Sequence, residues 1–207
     1  MSGYSVISLI DMVEALGEDR CTEILSHFSC PLNPDVQRFL SSRSYALELA
    51  KQGISQTTLV FASYKKAQVL CGYFTIANKY IIVNPKSISN TLRRRIQKFA
   101  MPKAGDGNLL ITAPLIAQLG KNFTNGYNSL ITGDELLTLA LDKVQEAQRI
   151  LGGKFVYLEC EDLPCLVDFY TENGFVPFGK RMLDRDETSD YEDYTKHYLI
   201  QLLKYNK

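Results

Sequence analysis

Leu109-Leu-Ile-Thr-Ala-Pro-Leu-Ile-Ala-Gln-Leu119 and Phe155-Val-Tyr-Leu-Glu-Cys160 bracket the stretch whose reading decides the fold. Between these apolar runs a polar loop closes at Thr132-Gly133-Asp134-Glu135. Leu136, Leu137, Ala140, Leu141, Val144, Ala147 and Leu151 then recur at helical spacing, with Asp142, Lys143, Glu146 and Arg149 off that face. This predicts an amphipathic helix to about Leu151, stopped by Gly152-Gly153. A short helix follows the second run and ends in Phe169-Tyr170-Thr-Glu-Asn-Gly174-Phe175. Strand, loop, helix and strand make a βαβ unit. Its loop bares a helix N-terminus, where unpaired N–H groups and the helix dipole favour an anion.

Upstream, Ser8 is placed to cap a helix over Leu9–Leu16 that Gly17 ends, and Glu18–Phe28 carries Cys21, Ile24, Leu25 and Phe28 at helical spacing. Asn33 caps the next helix with Pro34 at its first position, and the pattern runs through Phe39, Leu40, Ala46, Leu47 and Ala50 to Gly53. Thr57–Ser63 and Val69–Ala77 read as an antiparallel hairpin whose sheet Tyr80–Val83 extends. Ser89 opens a short helix with Leu92, Ile96 and Phe99 inward and Arg93, Arg94, Arg95 and Lys98 mostly outward, either a solvated face or a phosphate or RNA patch. Downstream lie a strand (Val176–Leu183), an acidic segment (Asp184–Asp193) and a closing strand within Tyr194–Lys204.

The 207 residues, 45% hydrophobic and 22% charged, suit one soluble α/β domain with one substantial core. The expected domain is 1–207, with 1–33 a helical N-terminal extension. The 23 basic and 23 acidic residues cancel, which argues against a nucleic-acid partner, since such binding rests on an excess of Lys and Arg. Five cysteines without C-x-x-C pairing, and only His27 and His197 beside them, make no legible metal site and read as free, mostly buried thiols. No run approaches the roughly 18–20 apolar residues of a membrane span, so a cytoplasmic location is expected. The phosphate-binding motifs G-x-x-x-x-G-K-[ST] and G-x-G-x-x-G and the hydrolase elbow G-x-S-x-G are all missing.

Over most of its length the chain resembles the GNAT superfamily of N-acetyltransferases. Phe169-Tyr170-Thr-Glu-Asn-Gly174-Phe175 matches the family's F-Y-x-x-x-G-F signature. Pro114–Lys121 looks like its fourth strand, the loop into Leu136-Leu137 like its pyrophosphate loop, and Phe155–Cys160 like its fifth strand. The usual Q/R-x-x-G-x-G/A loop is degraded: only Gly133 survives, with Ile131 and Ser129 in the other glycine places and Asn128 at the Gln/Arg place. The resemblance implies a central mixed, twisted sheet of about six to seven strands flanked by helices. It also implies acetyl-CoA as cosubstrate, with no metal. The pantetheine arm would lie against Leu119, Gly120 and Lys121 as an added strand. The diphosphate would sit on the amides of Leu130, Ile131, Thr132, Gly133, Asp134 and Glu135, and Tyr170 would protonate the departing thiolate.

Other readings stand beside these. Thr132-x-x-Glu135 is also a capping box that needs no ligand, and Asp134 and Glu135 put negative charge where a diphosphate would go, offset in part by Lys121. Tyr170 also shares a helical stripe with Leu163, Leu166 and Val167 and could be a core tyrosine. An ammonium acceptor needs its proton removed, and Glu159 and Glu161 are the candidate bases, or simply strand-end carboxylates. Asp162 fits as N-cap of the next helix. The acidic segment is either a solvated loop or an attractor of cationic amines. The expected partner is an amine-bearing acceptor, small molecule or protein, and a homodimer is an allowed assembly. The alternatives are a catalytically silent module of this fold holding CoA or a protein, and toxin-like acetylation of aminoacyl-tRNA.

Overall fold

A computed structural model describes residues 3–103, 105–183 and 198–205; the acidic segment Asp184–Asp193 lies outside them. In chain order the first elements are β1 (Tyr4–Ser8), α1 (Leu9–Leu16), α2 (Glu18–Ser26), α3 (Pro34–Ser41), α4 (Ala46–Lys51), β2 (Ser55–Tyr64) and β3 (Ala67–Ala77). Then come β4 (Tyr80–Val83), α5 (Asn90–Gln97), β5 (Met101–Pro102), β6 (Leu109–Thr112) and β7 (Leu115–Lys121). A 3₁₀ segment, Thr124–Leu130, leads into α6 (Gly133–Leu151), β8 (Phe155–Glu161), α7 (Pro164–Glu172), β9 (Val176–Met182) and β10 (Tyr198–Tyr205). These elements fall into two compact units, Met1–Ala77 with Ile116–Lys143 and Asn78–Leu115 with Val144–Lys207. The seven strands of the central mixed sheet divide between them, β1-β2-β3-β7 in the first and β8-β10-β9 in the second. This is the GNAT-type α/β architecture expected from the central stretch.

In the first unit β2 and β3 form the predicted hairpin, turned by Lys65 and Lys66 at φ 47° and 67°. Two-residue hairpin turns need that left-handed backbone to match the strand twist. Tyr4–Ser8 is a strand antiparallel to β2, from Tyr4↔Ala62 to Ser8↔Thr58. The helical extension expected over 1–33 therefore opens with an edge strand. Asn33 caps α3 through its side-chain oxygen, which accepts from the amides of Asp35 (3.0 Å) and Val36 (3.1 Å). The single helix expected from there to Gly53 is two, broken over Ser42–Tyr45. Serines favour local turn hydrogen bonds over helix, and Ser42 is extended (φ −89°, ψ 135°). The core gathers Leu9, Cys21, Leu25, Phe28, Leu40, Leu47, Leu59 and Tyr73, with Phe28 edge-on to Tyr73 at 5.1 Å.

In the second unit β10 lies between β8 and β9, antiparallel to both. The long apolar run breaks at Ala113-Pro114 into β6 and β7, as proline has no N–H for a ladder. Tyr80–Val83 does not extend the hairpin: it pairs with β6 in a separate three-stranded sheet, β4-β6-β5. Ser89 caps α5, its hydroxyl accepting from Leu92 N at 3.3 Å. Leu92 and Ile96 are buried as expected, whereas Phe99 stays 44% exposed, its ring against Phe155 and Tyr205. Leu151, read as the last residue of the buried face of α6, is 77% exposed.

Candidate active site

The first unit holds the whole predicted anion loop. β7 ends in Leu119, Gly120 and Lys121, with Gly120 buried and the other two half-buried. A Cβ at Gly120 would come within 2.5 Å of Val36 Cγ1 and 3.0 Å of Tyr73 Cε1, so close packing alone demands a glycine there. Asn122 then anchors the loop from a buried position. Its Oδ1 accepts from the amides of Ser29 and Thr124 (3.1 Å each), and its Nδ2 donates to the Leu70 carbonyl at 2.8 Å. The 3₁₀ segment kinks at Asn125 and Gly126, φ 51° and 74°. Buried Ile131 pins the loop just before α6.

At the start of α6 the capping box is formed in full. Glu135 Oε2 accepts from Thr132 N and from Thr132 Oγ1, both at 2.8 Å, and Glu135 N donates to Thr132 Oγ1 at 3.1 Å. Of the amides assigned to a diphosphate, Thr132 and Glu135 are thus engaged. Gly133 and Asp134 open the first turn of α6. Bonding from the Thr132 amide holds the Glu135 carboxyl below the usual carboxylate range, with the Thr132 hydroxyl, Tyr4 and Lys121 adding to it. The Tyr4 hydroxyl, from β1, donates to the Leu130 carbonyl at 3.0 Å. Burial first, and the Glu135 carboxylate second, push its phenol up to about 12. Sequence reasoning missed both Tyr4 and Asn122, since nothing local marks a contact made across 126 or 52 positions.

Tyr170 belongs to the second unit. The amide of Phe175 donates to the Tyr170 carbonyl (3.0 Å) and that of Gly174 to the Thr171 carbonyl (2.9 Å), with Gly174 at φ 82°. This is the Schellman cap, and its apolar contact is the Tyr170–Phe175 ring pair at 5.9 Å. The signature F-Y-x-x-x-G-F is therefore a helix terminator that fixes where the phenol stands. The Tyr170 ring is half-buried, edge-on to Phe169 at 5.0 Å. Burial, and next the nearby Cys160 thiol, raise its phenol well above the usual tyrosine range. At neutral pH the phenol therefore keeps its proton.

The two carboxylates on β8 differ. Glu159 Oε2 accepts from Arg181 Nη2 (2.7 Å) and Nε (2.9 Å), and Oε1 accepts from Gln201 Nε2 at 2.8 Å. Both oxygens of Glu159 are held in place by side chains of neighbouring strands, whereas Glu161 is half-buried at the strand end. Asp162 is not the N-cap of α7; Leu163 takes that place, and Asp162 pairs with Lys180 at 2.6 Å. A cleft of about 830 Å³ in the same unit is lined by Phe99, Pro114, Gln148, Leu151 and Phe155 among others, and by none of the predicted site residues. Cys21, Cys30, Cys71 and Cys160 are buried free thiols and Cys165 is an exposed one; among the described residues no His, Cys, Asp and Glu group could hold a metal ion.

The predicted loop and the start of α6 lie in the first unit, and Tyr170 lies in the second. No family model and no curated protein matches the sequence. Solved structures do match in fold. AtaT complexed with acetyl-methionyl-tRNAfMet aligns over 95% of this chain and 93% of its own, at 15% identity and a TM-score of 0.59. A tyrosine-to-phenylalanine mutant of the AtaT toxin, bound to the C-terminus of the antitoxin AtaR and acetyl-CoA, covers 98% and 93% at 13% identity and a TM-score of 0.57. A KacTA–DNA complex covers 98% and 92% at 14% identity and a TM-score of 0.55.

Two of these neighbours carry nucleic acid, so the expectation that a nucleic-acid partner is unlikely, drawn from zero net charge, is not borne out. Net charge averages over a surface, whereas binding is local. Between Asn78 and Lys103 this chain has no Asp or Glu, yet carries Lys79, Lys86, Arg93, Arg94, Arg95, Lys98 and Lys103. Arg94, Arg95 and Lys98 are exposed on and just after α5, and among the described residues none of them has a carboxylate partner.

Proposed function

We propose that this chain is an acetyl-CoA-dependent N-acetyltransferase acting on a primary amine. The observation that carries the reading is the fold shared over nearly the whole chain with a toxin seen with acetyl-CoA. In this reading the diphosphate of acetyl-CoA docks on the backbone amides between Leu130 and Glu135 that lead into α6, that of Thr132 among them. The acceptor nitrogen attacks the thioester carbon, the C–S bond breaks as the amide bond forms, and Tyr170 gives its proton to the departing sulfur. The acceptor's own surplus proton leaves to Glu161 or to water, since Glu159 is tied to Arg181 and Gln201.

A finer reading of the acceptor is the amino group of an aminoacyl-tRNA. The acid-free basic stretch around α5 supports it, together with the tRNA-bound neighbour. One experiment tests both. Release of free CoA thiol is measured across small amines, peptides and methionyl-tRNA, with Tyr170→Phe alongside. The expected result is turnover that Tyr170→Phe lowers by about 10²–10⁴-fold at unchanged acetyl-CoA affinity. With tRNA, Arg94→Ala or Arg95→Ala each reduces the salt slope of binding by about one. A protein that binds acetyl-CoA and releases no CoA with any acceptor is instead a silent module of the fold.

A further inference from the structure

We infer that Glu135 sets the affinity of the loop for acetyl-CoA, because its carboxylate occupies the same Thr132 amide that an incoming diphosphate needs. The inference rests on the acetyl-CoA reading above and adds to it an internal competitor. The observations are geometric. One oxygen of Glu135 takes both the amide and the hydroxyl of Thr132, at 2.8 Å each, so a full negative charge already sits where the anion is to be received. Thr132 and Glu135 are both exposed, so the carboxylate is free to turn outward once its place is taken.

Two neighbours make that exchange feasible. Lys121, at the end of β7, acts electrostatically on Glu135 and offsets its charge. The Tyr4 hydroxyl stands beside the same carboxylate while donating to the Leu130 carbonyl at 3.0 Å. When the diphosphate takes the Thr132 amide, Glu135 gives up its cap, and the Tyr4 hydroxyl is the donor within reach to receive it. Tyr4 is thus a positioning residue: its single O–H holds the loop at Leu130 and turns to the carboxylate when the cap is given up.

Glutamine serves a capping box as well as glutamate does, so Glu135→Gln keeps the helix start and removes only the charge. Calorimetry with acetyl-CoA is run on the wild type, Glu135→Gln, Tyr4→Phe and the double variant, with melting temperatures as the fold control. Glu135→Gln is expected to bind on the order of tenfold more tightly, with its melting temperature unchanged and KM for acetyl-CoA lowered. Tyr4→Phe is expected to weaken binding severalfold in the wild-type background and to change it little beside Glu135→Gln, the coupling that marks a shared carboxylate. If wild type binds and Glu135→Gln binds equally or less well, the competition is refuted while the acetyl-CoA reading stands. If wild type registers no binding at all, the acetyl-CoA reading itself fails.

Discussion

Tyr170 owes its place to a helix stop and its proton to its surroundings. Burial, then Cys160, raise the phenol above the ordinary tyrosine value of 10.0, and the sign of that shift decides what it can do. A raised pKa keeps the neutral donor populated, so a step that needs its proton holds its rate up to pH 10 and fails only above that. kcat measured from pH 7 to 11 on wild type should therefore show no alkaline limb at or below pH 10; a limb there would remove Tyr170 as the acid. Glu159 illustrates the opposite case, a carboxylate in a plausible sequence position whose oxygens are engaged by Arg181 and Gln201. Reading the chain alone could place Glu159 at a strand end. It could not see the two strands that clamp it.

Elements were legible where their signals are local. Asn33 and Ser89 cap the helices they were expected to cap, and the Thr132–Glu135 box forms as its spacing says, because each motif closes within one helical turn. β1 was missed because a short edge strand takes its stability from a partner far along the chain, here β2. The break at Ser42–Tyr45 was missed because a stripe of apolar residues on both sides kept the period through it. Gly120 shows how packing fixes a residue type within an element: its missing side chain makes room for Val36, Tyr73 and Phe28. Gly120→Ala should cost about 1–3 kcal/mol of stability, read by urea unfolding. Wild-type stability in that variant would mean that α3 yields to the added methyl.

Across the whole molecule the buried thiols and phenols share one direction of shift. Cys71 and Cys160 are pushed from 9.0 up to about 11, and Tyr4 and Tyr157 from 10.0 up to about 12, in each case chiefly by burial. A raised folded value means stability that is whole below the unfolded value and is lost as pH climbs through the folded one. Unfolding free energy should be level from pH 7 to about 9 and then decline steadily toward pH 12. Urea titrations at half-unit steps check this, and a flat profile to pH 11 would contradict it. The same scale shows what a charge sum leaves out. A sum of zero over 207 residues hid an acid-free basic stretch around α5.

The bond from the Tyr4 hydroxyl to Leu130 joins positions 126 apart, one near the start of the chain and the other well past its middle. During synthesis the first strand therefore exists long before the segment it fastens. A chain interrupted ahead of Leu130 has the latch without the door, and one lacking its opening residues has the door unlatched. The fastening of this loop accordingly waits until synthesis has passed Leu130.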